Sequence, residues 1–172
     1  MAKQTFIDSN KLPPIEGMRL NIGSGKDYKK GFINIDKFDK TADANWDIEH
    51  LPLNDSCVAQ IVCSDVLEHL PYKMILPVLI EFHRVLKHEG QILIFVPDIG
   101  ALCKDVSENP EDEWKLAQLY GNQQHEGQFH KTGFTVKRLS VILGYAGFDR
   151  LVMALYPALD GLKMIYMEAY RK

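Results

Sequence analysis

Leu20-Asn21-Ile22-Gly23-Ser24-Gly25 is an apolar run that breaks into a glycine loop, and Phe32-Ile33-Asn34-Ile35-Asp36 is a second apolar run that ends in a carboxylate. Together they outline a nucleoside-binding site. Glycines at a strand end let backbone approach a ligand, and a carboxylate at the tip of the neighbouring parallel strand accepts hydrogen bonds from ribose hydroxyls. About nine residues separate the first strand, ending at Ile22, from the second, starting at Phe32, whereas a parallel crossover normally takes a dozen or more including its helix. The first helix is therefore stunted, with Lys26-Asp27-Tyr28-Lys29-Lys30 forming a single turn. So short a helix offers little dipole, which argues for a ligand held by loop amides and against a pyrophosphate. A dinucleotide fingerprint would also place a third glycine where Tyr28 stands and an acidic residue roughly 20 positions on. Asp36 comes too early and no Tyr-x-x-x-Lys dyad is present, so a nicotinamide oxidoreductase is the weaker enzyme reading.

Outward from this pair the chain reads as α/β. Residues 18–22, 32–35, 60–63 and 91–96 are short continuous apolar runs, as strands buried on both faces of a parallel sheet should be. Residues 74–86 place Ile75, Val78, Leu79, Phe82, Val85 and Leu86 at helical spacing, with Pro77 in the first turn and Glu89-Gly90 closing the segment. His83, among these apolar positions, reads as a structural histidine. A second helix spans 136–145, capped by Thr135 and ended by Gly147, with Leu139, Ile142 and Leu143 towards the sheet. Residues 150–155 and 163–170 are two closing strands joined as a hairpin through Pro157-Ala158-Leu159-Asp160-Gly161.

At 172 residues, 46% hydrophobic and 25% charged, the chain fits a single domain over residues 1–172. A net charge of -3 and a pI near 6.1 disfavour a polyanion, so no nucleic-acid partner is expected. No stretch has the apolar length of a membrane span and the start lacks the apolar core of a signal peptide, giving an expectation of no membrane insertion and a cytoplasmic setting. Cys57, Cys63 and Cys103 leave one thiol over in any disulfide scheme and lack metal-ligand spacing, so they read as free thiols. The oligomeric state stays open between a monomer and a homodimer.

The two opening motifs, with Leu51-Pro52-Leu53, Val66-Leu67-Glu68-His69-Leu70, Glu81-Phe82-His83-Arg84-Val85-Leu86-Lys87 and Val96-Pro97-Asp98, resemble a small class I S-adenosylmethionine-dependent methyltransferase. Leu119-Tyr120-Gly121, His130-Lys131-Thr132-Gly133-Phe134 and Ala146-Gly147-Phe148 are similar to a bacterial subgroup of predicted methyltransferases associated with surface-polysaccharide synthesis. The resemblance implies a Rossmann-like sheet of seven strands, mostly parallel, with the last strand antiparallel. It implies S-adenosylmethionine as cofactor: Gly23, Ser24 and Gly25 line its methionine part, Asp36 holds the ribose, and Asp47 and Ile48 contact adenine, with Lys37 covering the other face. Ser64 borders the sulfonium. Asn21 stands where many such enzymes carry an acidic residue, so it is the cofactor-side residue of that strand without a salt-like contact to the amino group.

On the acceptor side, His69 is the candidate catalytic base, because it follows the strand carrying Ser64 and its side chain titrates near neutrality. Asp65, Glu68 and His69, at i, i+3 and i+4, would share one helical face, a pattern similar to the magnesium-binding trio of ubiquinone-pathway O-methyltransferases. Solvated or backbone-bonded side chains explain the same letters, and no metal is assigned. Residues 98–134 form the substrate-loop region, in which His125 and His130 are the candidate substrate contacts; five apart, they lack the zinc-protease spacing. The expected activity is methyl transfer to an oxygen or nitrogen of a small molecule, with a sugar in glycan synthesis as the substrate suggested by the subgroup. A noncatalytic S-adenosylmethionine-binding or regulatory module is the alternative, since a fold can outlast its chemistry.

Overall fold

Six strands make one mixed sheet in the computed structural model, which describes residues 16–157 and 163–172. In chain order these are β1 (Met18–Ile22), β2 (Ile33–Ile35), β3 (Val58–Ser64), β4 (Leu86–Pro97), β5 (Phe148–Pro157) and β6 (Lys163–Arg171). Their spatial order is β2-β1-β3-β4-β6-β5. The first four run parallel and β6 is antiparallel to both its neighbours, so the expected antiparallel last strand is present. The hairpin connection expected at 157–161 lies largely outside the described residues.

The helices are α1 (Ile75–Val85), α2 (Ile99–Glu108), α3 (Glu113–Tyr120) and α4 (Val136–Tyr145). In α1 the apolar positions Ile75, Val78, Leu79, Phe82 and Val85 are buried on one face, as the 3.6-residue period requires. They pack with Leu139 and Leu143 of α4 against Leu20, Ile22, Ile61, Cys63, Ile92 and Ile94 of the sheet. Thr135 caps α4 by accepting from the Arg138 amide, and Gly147 follows the helix at φ +97. Helix α1 ends at Val85, one residue short of the expected boundary, because Leu86 already pairs with Val58. The register then shifts, Glu89 turns at φ +62, and regular pairing resumes at Gln91 opposite Gln60. His83 lies half-buried against Phe148, with ring centroids 5.2 Å apart. Burial and the Arg171 charge lower its pKa, as suits a structural imidazole.

Two expectations need correction. Among the described residues the sheet has six strands, not seven: after β2 the backbone pairs with its edge at the isolated bridge between Ile35 and Ala44, beside the Asp43 side chain that accepts from the Asn34 amide. Lys40-Thr41-Ala42-Asp43-Ala44-Asn45 has no apolar run to bury, so nothing drives a full strand there. The stunted first helix is also absent, since residues 23–32 form turns without a helical segment. Side chains do the work that helix hydrogen bonds would have done. Asn21 and Asn34 face each other in register across β1 and β2, and Asn21 Nδ2 donates to Asn34 Oδ1 at 2.9 Å and to the Asp27 carbonyl at 2.8 Å. Asn34 Oδ1 also accepts from the Lys29 amide, while its Nδ2 donates to the carbonyls of Lys29 and Phe32.

Residues 98–134 are more structured than a loop, since they carry α2, α3 and a single 3-10 turn at Glu126–Gln128. Asp98 and Asp112 cap the two helices by accepting from amides in their first turns. The insertion closes on itself at its base, where Asp98 bridges Phe134 and the Ile99 amide donates to the Phe134 carbonyl at 2.9 Å. Both ends of the excursion are thus fixed at the carboxyl edge of β4.

Candidate functional site

A cleft of about 980 Å³ opens at the carboxyl ends of β1, β2 and β3, under the insertion. Ligands of open α/β sheets bind at this edge, and the volume suits a nucleoside-sized molecule. Asn21, Gly23, Ser24, Gly25, Asp36, Lys37, Asp47, Ile48, Ser64, His69 and His125 all line it. His130 does not line the cleft but packs edge-on against the His69 ring, with centroids 4.8 Å apart. A second hollow, between α1 and α4, is lined by apolar and basic residues such as Leu76, Val141, Lys73 and Arg138. It lies between the two helices, and no carboxylate lines it.

The glycine loop is held open by the fold. Gly23 sits at φ +66, and a Cβ there would lie 2.2 Å from Val66 Cγ2, so the close approach it permits is first to Val66. Gly25, at φ +47, has open space on its Cβ side apart from Asp36 Oδ2 at 3.9 Å. Between them Ser24 is buried, and its Oγ has no hydrogen-bond partner. A buried hydroxyl left without a partner costs about 1–3 kcal/mol, which a polar ligand in the cleft would recover.

Asp36 is more committed than its sequence position suggests. Oδ2 accepts from the Gly25 amide at 2.8 Å, and Oδ1 accepts from the amides of Phe38 and Asp39 at 2.7 and 2.8 Å. A carboxylate has about four lone-pair sites, so the side chain fixes the loop and retains capacity for a ligand hydroxyl. Asp47 and Lys37 stand exposed at the rim, 3.9 Å apart, and Asp47 Oδ1 also accepts from the Glu49 amide. Ile48 is half-buried and packs against the core. Asn21 lines the cleft, but its amide nitrogen is spent on the crossover turn, making it a builder of the loop.

At the end of β3, Ser64 donates to Asp65 Oδ2 at 3.3 Å, and Asp65 turns the chain at φ +53. Residues Leu67–His69 then form a 3-10 turn, so the helical face expected for Asp65, Glu68 and His69 is not built. Glu68 is buried, and its carbonyl accepts from the amides of Lys131 and Thr132 at 2.7 and 3.1 Å. His69 Nδ1 lies 3.1 Å from the Phe129 carbonyl. A carbonyl only accepts, so Nδ1 carries the proton and Nε2 is the basic nitrogen of the neutral ring. The thiol of Cys63, beneath this turn, is pushed well up by burial and by the Glu68 and Asp65 carboxylates, which makes it inert. All three cysteines are free.

The two candidate substrate histidines have different neighbours. His125 stacks at a tilt on Phe38, with centroids 5.1 Å apart, and accepts from the Gly127 amide, whereas His130 belongs with His69. Phe38 also lies so close to Gly127 that a Cβ there would sit 2.2 Å from its ring. Phe38 and Trp46 line the cleft and were missed in the sequence. An aromatic two positions past a strand-end carboxylate is the signal that points to the first.

Residues 24–94 match the family described as Methyltransferase domain, a span that runs from the glycine loop to the middle of β4. An S-adenosylmethionine-dependent methyltransferase from Thermotoga maritima, described as a possible histamine N-methyltransferase, superposes with a TM-score of 0.68 at 16% identity, covering 95% of this chain and 86% of its own. The fold is that of the methyltransferases. A second such structure, from Methanosarcina mazei, gives a TM-score of 0.66 at 18% identity over 94% of this chain and 95% of its own. The Burkholderia thailandensis 1,6-didemethyltoxoflavin-N1-methyltransferase, solved with that compound and S-adenosylhomocysteine, gives 0.65 at 14% identity over 90% and 71%. A comparison with curated proteins finds no match. The domain match and the methyltransferase fold support an enzyme of the S-adenosylmethionine-dependent kind and S-adenosylmethionine as its cofactor. Among the described residues no helix is long and apolar enough to cross a membrane.

Proposed function

We propose that this chain transfers a methyl group from S-adenosylmethionine to an oxygen or nitrogen of a small-molecule acceptor in the cytoplasm, with sugars of glycan synthesis as the first class to test. The observation that carries the reading is the orphaned Ser24 hydroxyl between Gly23 and Gly25, in the wall of a cleft that Asp36 lines beside it. A carboxylate with one acceptor site left suits a ribose hydroxyl, and a small loop with a free hydroxyl suits the amino-acid end of the cofactor. Asp47 and Ile48 offer an acceptor for an exocyclic amine and an apolar side chain for a ring, with Lys37 at the same rim. Bound there, the cofactor supplies a methyl group made electrophilic by its sulfonium.

The chain's own residues then align and deprotonate. Ser64, at the end of β3, marks the sulfonium end of the cleft, and His69 contributes a basic Nε2 beside it because Phe129 holds the proton on Nδ1. His125, with the polar residues Gln128 and Lys131, brings hydrogen-bonding groups to the cleft, which suits a hydroxylated ligand, while His130 backs the His69 ring.

Calorimetry with S-adenosylhomocysteine tests the cofactor half. Binding is expected for the native chain, and Asp36→Asn should weaken it about tenfold or more, the loss of roughly one charge-assisted hydrogen bond. No binding, or no effect of the substitution, would sink the reading. Release of S-adenosylhomocysteine with a panel of sugar and amine acceptors tests the transfer. Tight binding with turnover on no acceptor would make the chain a noncatalytic binding module instead.

A further inference from the structure

We propose that Glu68, His69 and His130 form a three-ligand site for a divalent transition-metal ion of the zinc class. One carboxylate oxygen and one nitrogen from each imidazole lie within 4.8 Å of one another. Two segments far apart in sequence build the cluster. The turn after β3 supplies Glu68 and His69, and the end of the insertion supplies His130. They are stapled together by the Lys131 and Thr132 amides donating to the Glu68 carbonyl, and by His69 Nδ1 donating to the Phe129 carbonyl.

Three features point to a cation. Glu68 is only 2% exposed, and its carboxylate is held out of water with one oxygen close to a nitrogen of each imidazole. The Nδ1 proton of His69 is given to a backbone carbonyl, the partner that metal-bound imidazoles use to orient the ring and raise the basicity of the other nitrogen. The set itself, two imidazoles and one carboxylate, leaves coordination positions open, as catalytic zinc sites do. Ligands at the 2.0–2.2 Å bond lengths of zinc sit about 3.0–3.5 Å apart, so modest side-chain rotation closes the site. Two nitrogen donors favour zinc, cobalt or nickel over magnesium, which prefers oxygen. Asp65, which bonds to Ser64, is outside the set.

The ion would lie in the wall of the cleft at His69, beside the end of β3. With the ion bound, His69 would be a ligand in place of a base, and a hydroxyl-bearing acceptor coordinated there would be oriented and its hydroxyl pKa lowered so that its proton passes to water. That use rests on the methyl-transfer reading. The metal site itself does not.

Cobalt(II) titration of chelator-treated, tag-free full-length protein tests the site, read by the visible ligand-field band. One equivalent is expected to bind. His130→Ala and, separately, Glu68→Gln should each weaken binding at least about tenfold. His88→Ala, an exposed histidine at the start of β4, should change nothing. S-adenosylhomocysteine affinity measured on the same samples reports whether each variant is folded. Absent or substoichiometric cobalt binding by a native chain that binds S-adenosylhomocysteine overturns the metal site and leaves methyl transfer standing. Equal binding by His130→Ala, or full displacement of cobalt by an equal amount of magnesium, also overturns it. Stoichiometric cobalt binding without S-adenosylhomocysteine binding would leave the site and remove its role in methyl transfer.

Discussion

Gly23 and Asp36 show how a residue that reads as ligand-binding also serves the fold. Gly23 must be glycine on two counts, a left-handed φ of +66 and the Val66 methyl 2.2 Å from where its Cβ would stand. Gly23→Ala should therefore cost about 1–3 kcal/mol for the backbone alone and more for the clash, measured as a fall in the urea midpoint. A loss under half a kcal/mol would mean that Val66 moves aside freely. Asp36 orients three amides before any ligand arrives, so Asp36→Ala would confound a loop collapse with a lost contact. Asp36→Asn keeps the side chain's size and one acceptor oxygen, enough for Phe38 and Asp39 but not also for Gly25, so its urea midpoint is measured beside its affinity. Both residues were legible because a glycine break and a strand-end carboxylate are local signals. Val66 over Gly23 was not legible, because a contact between positions this far apart leaves no trace in either segment.

The first crossover is the element in which side chains replace a helix. Asn34 is fully buried and makes hydrogen bonds to Asn21, Lys29, Phe32 and Asp43. Asn34→Ala removes the acceptor for the Asn21 amide and the Lys29 N–H and strands the Phe32 carbonyl. At about 1–3 kcal/mol per stranded buried group, the loss should reach at least about 2 kcal/mol in chemical denaturation. S-adenosylhomocysteine affinity should fall with it, since the same turn carries Ser24 and Gly25. A variant as stable as the native chain would show that the turn holds without the asparagine pair. The nine-residue spacing did reveal that a full helix does not fit here. It did not reveal that none forms, because an asparagine inside an apolar strand announces a hydrogen bond without naming its partner. Helices α1 and α4 were readable to within a residue, since their burial periodicity and caps lie within the segment itself.

At the scale of the whole molecule, charge ties the helical layer to the loops around it. Glu81 on α1 accepts from the Leu51 amide at 2.7 Å and from Arg84, which also reaches Asp55 and the Leu51 and Leu53 carbonyls. The Arg84 hydrogen bond, with help from the Leu51 amide and against the effect of burial, holds the Glu81 carboxyl below the usual glutamate range. An acid lowered on folding contributes stability that is present above its unfolded pKa and is lost as pH falls through the folded one. Unfolding free energy should thus decline below about pH 4.3, and Glu81→Gln should flatten that decline while lowering stability at neutral pH. An unchanged acid limb in Glu81→Gln would assign it to other carboxylates. The amino-acid sequence by itself determined the parallel apolar strands, the two core helices, the glycine loop and the carboxylate opposite it, because each rests on periodicity or turn chemistry within a few residues. Only the tertiary structure decided that the described residues make a sheet of six strands, that Asn21 builds the loop, and that His130 joins Glu68 and His69 while His125 joins Phe38. Those outcomes depend on where an insertion more than thirty residues long folds back onto the sheet edge, and long-range packing of that kind is written in no single segment.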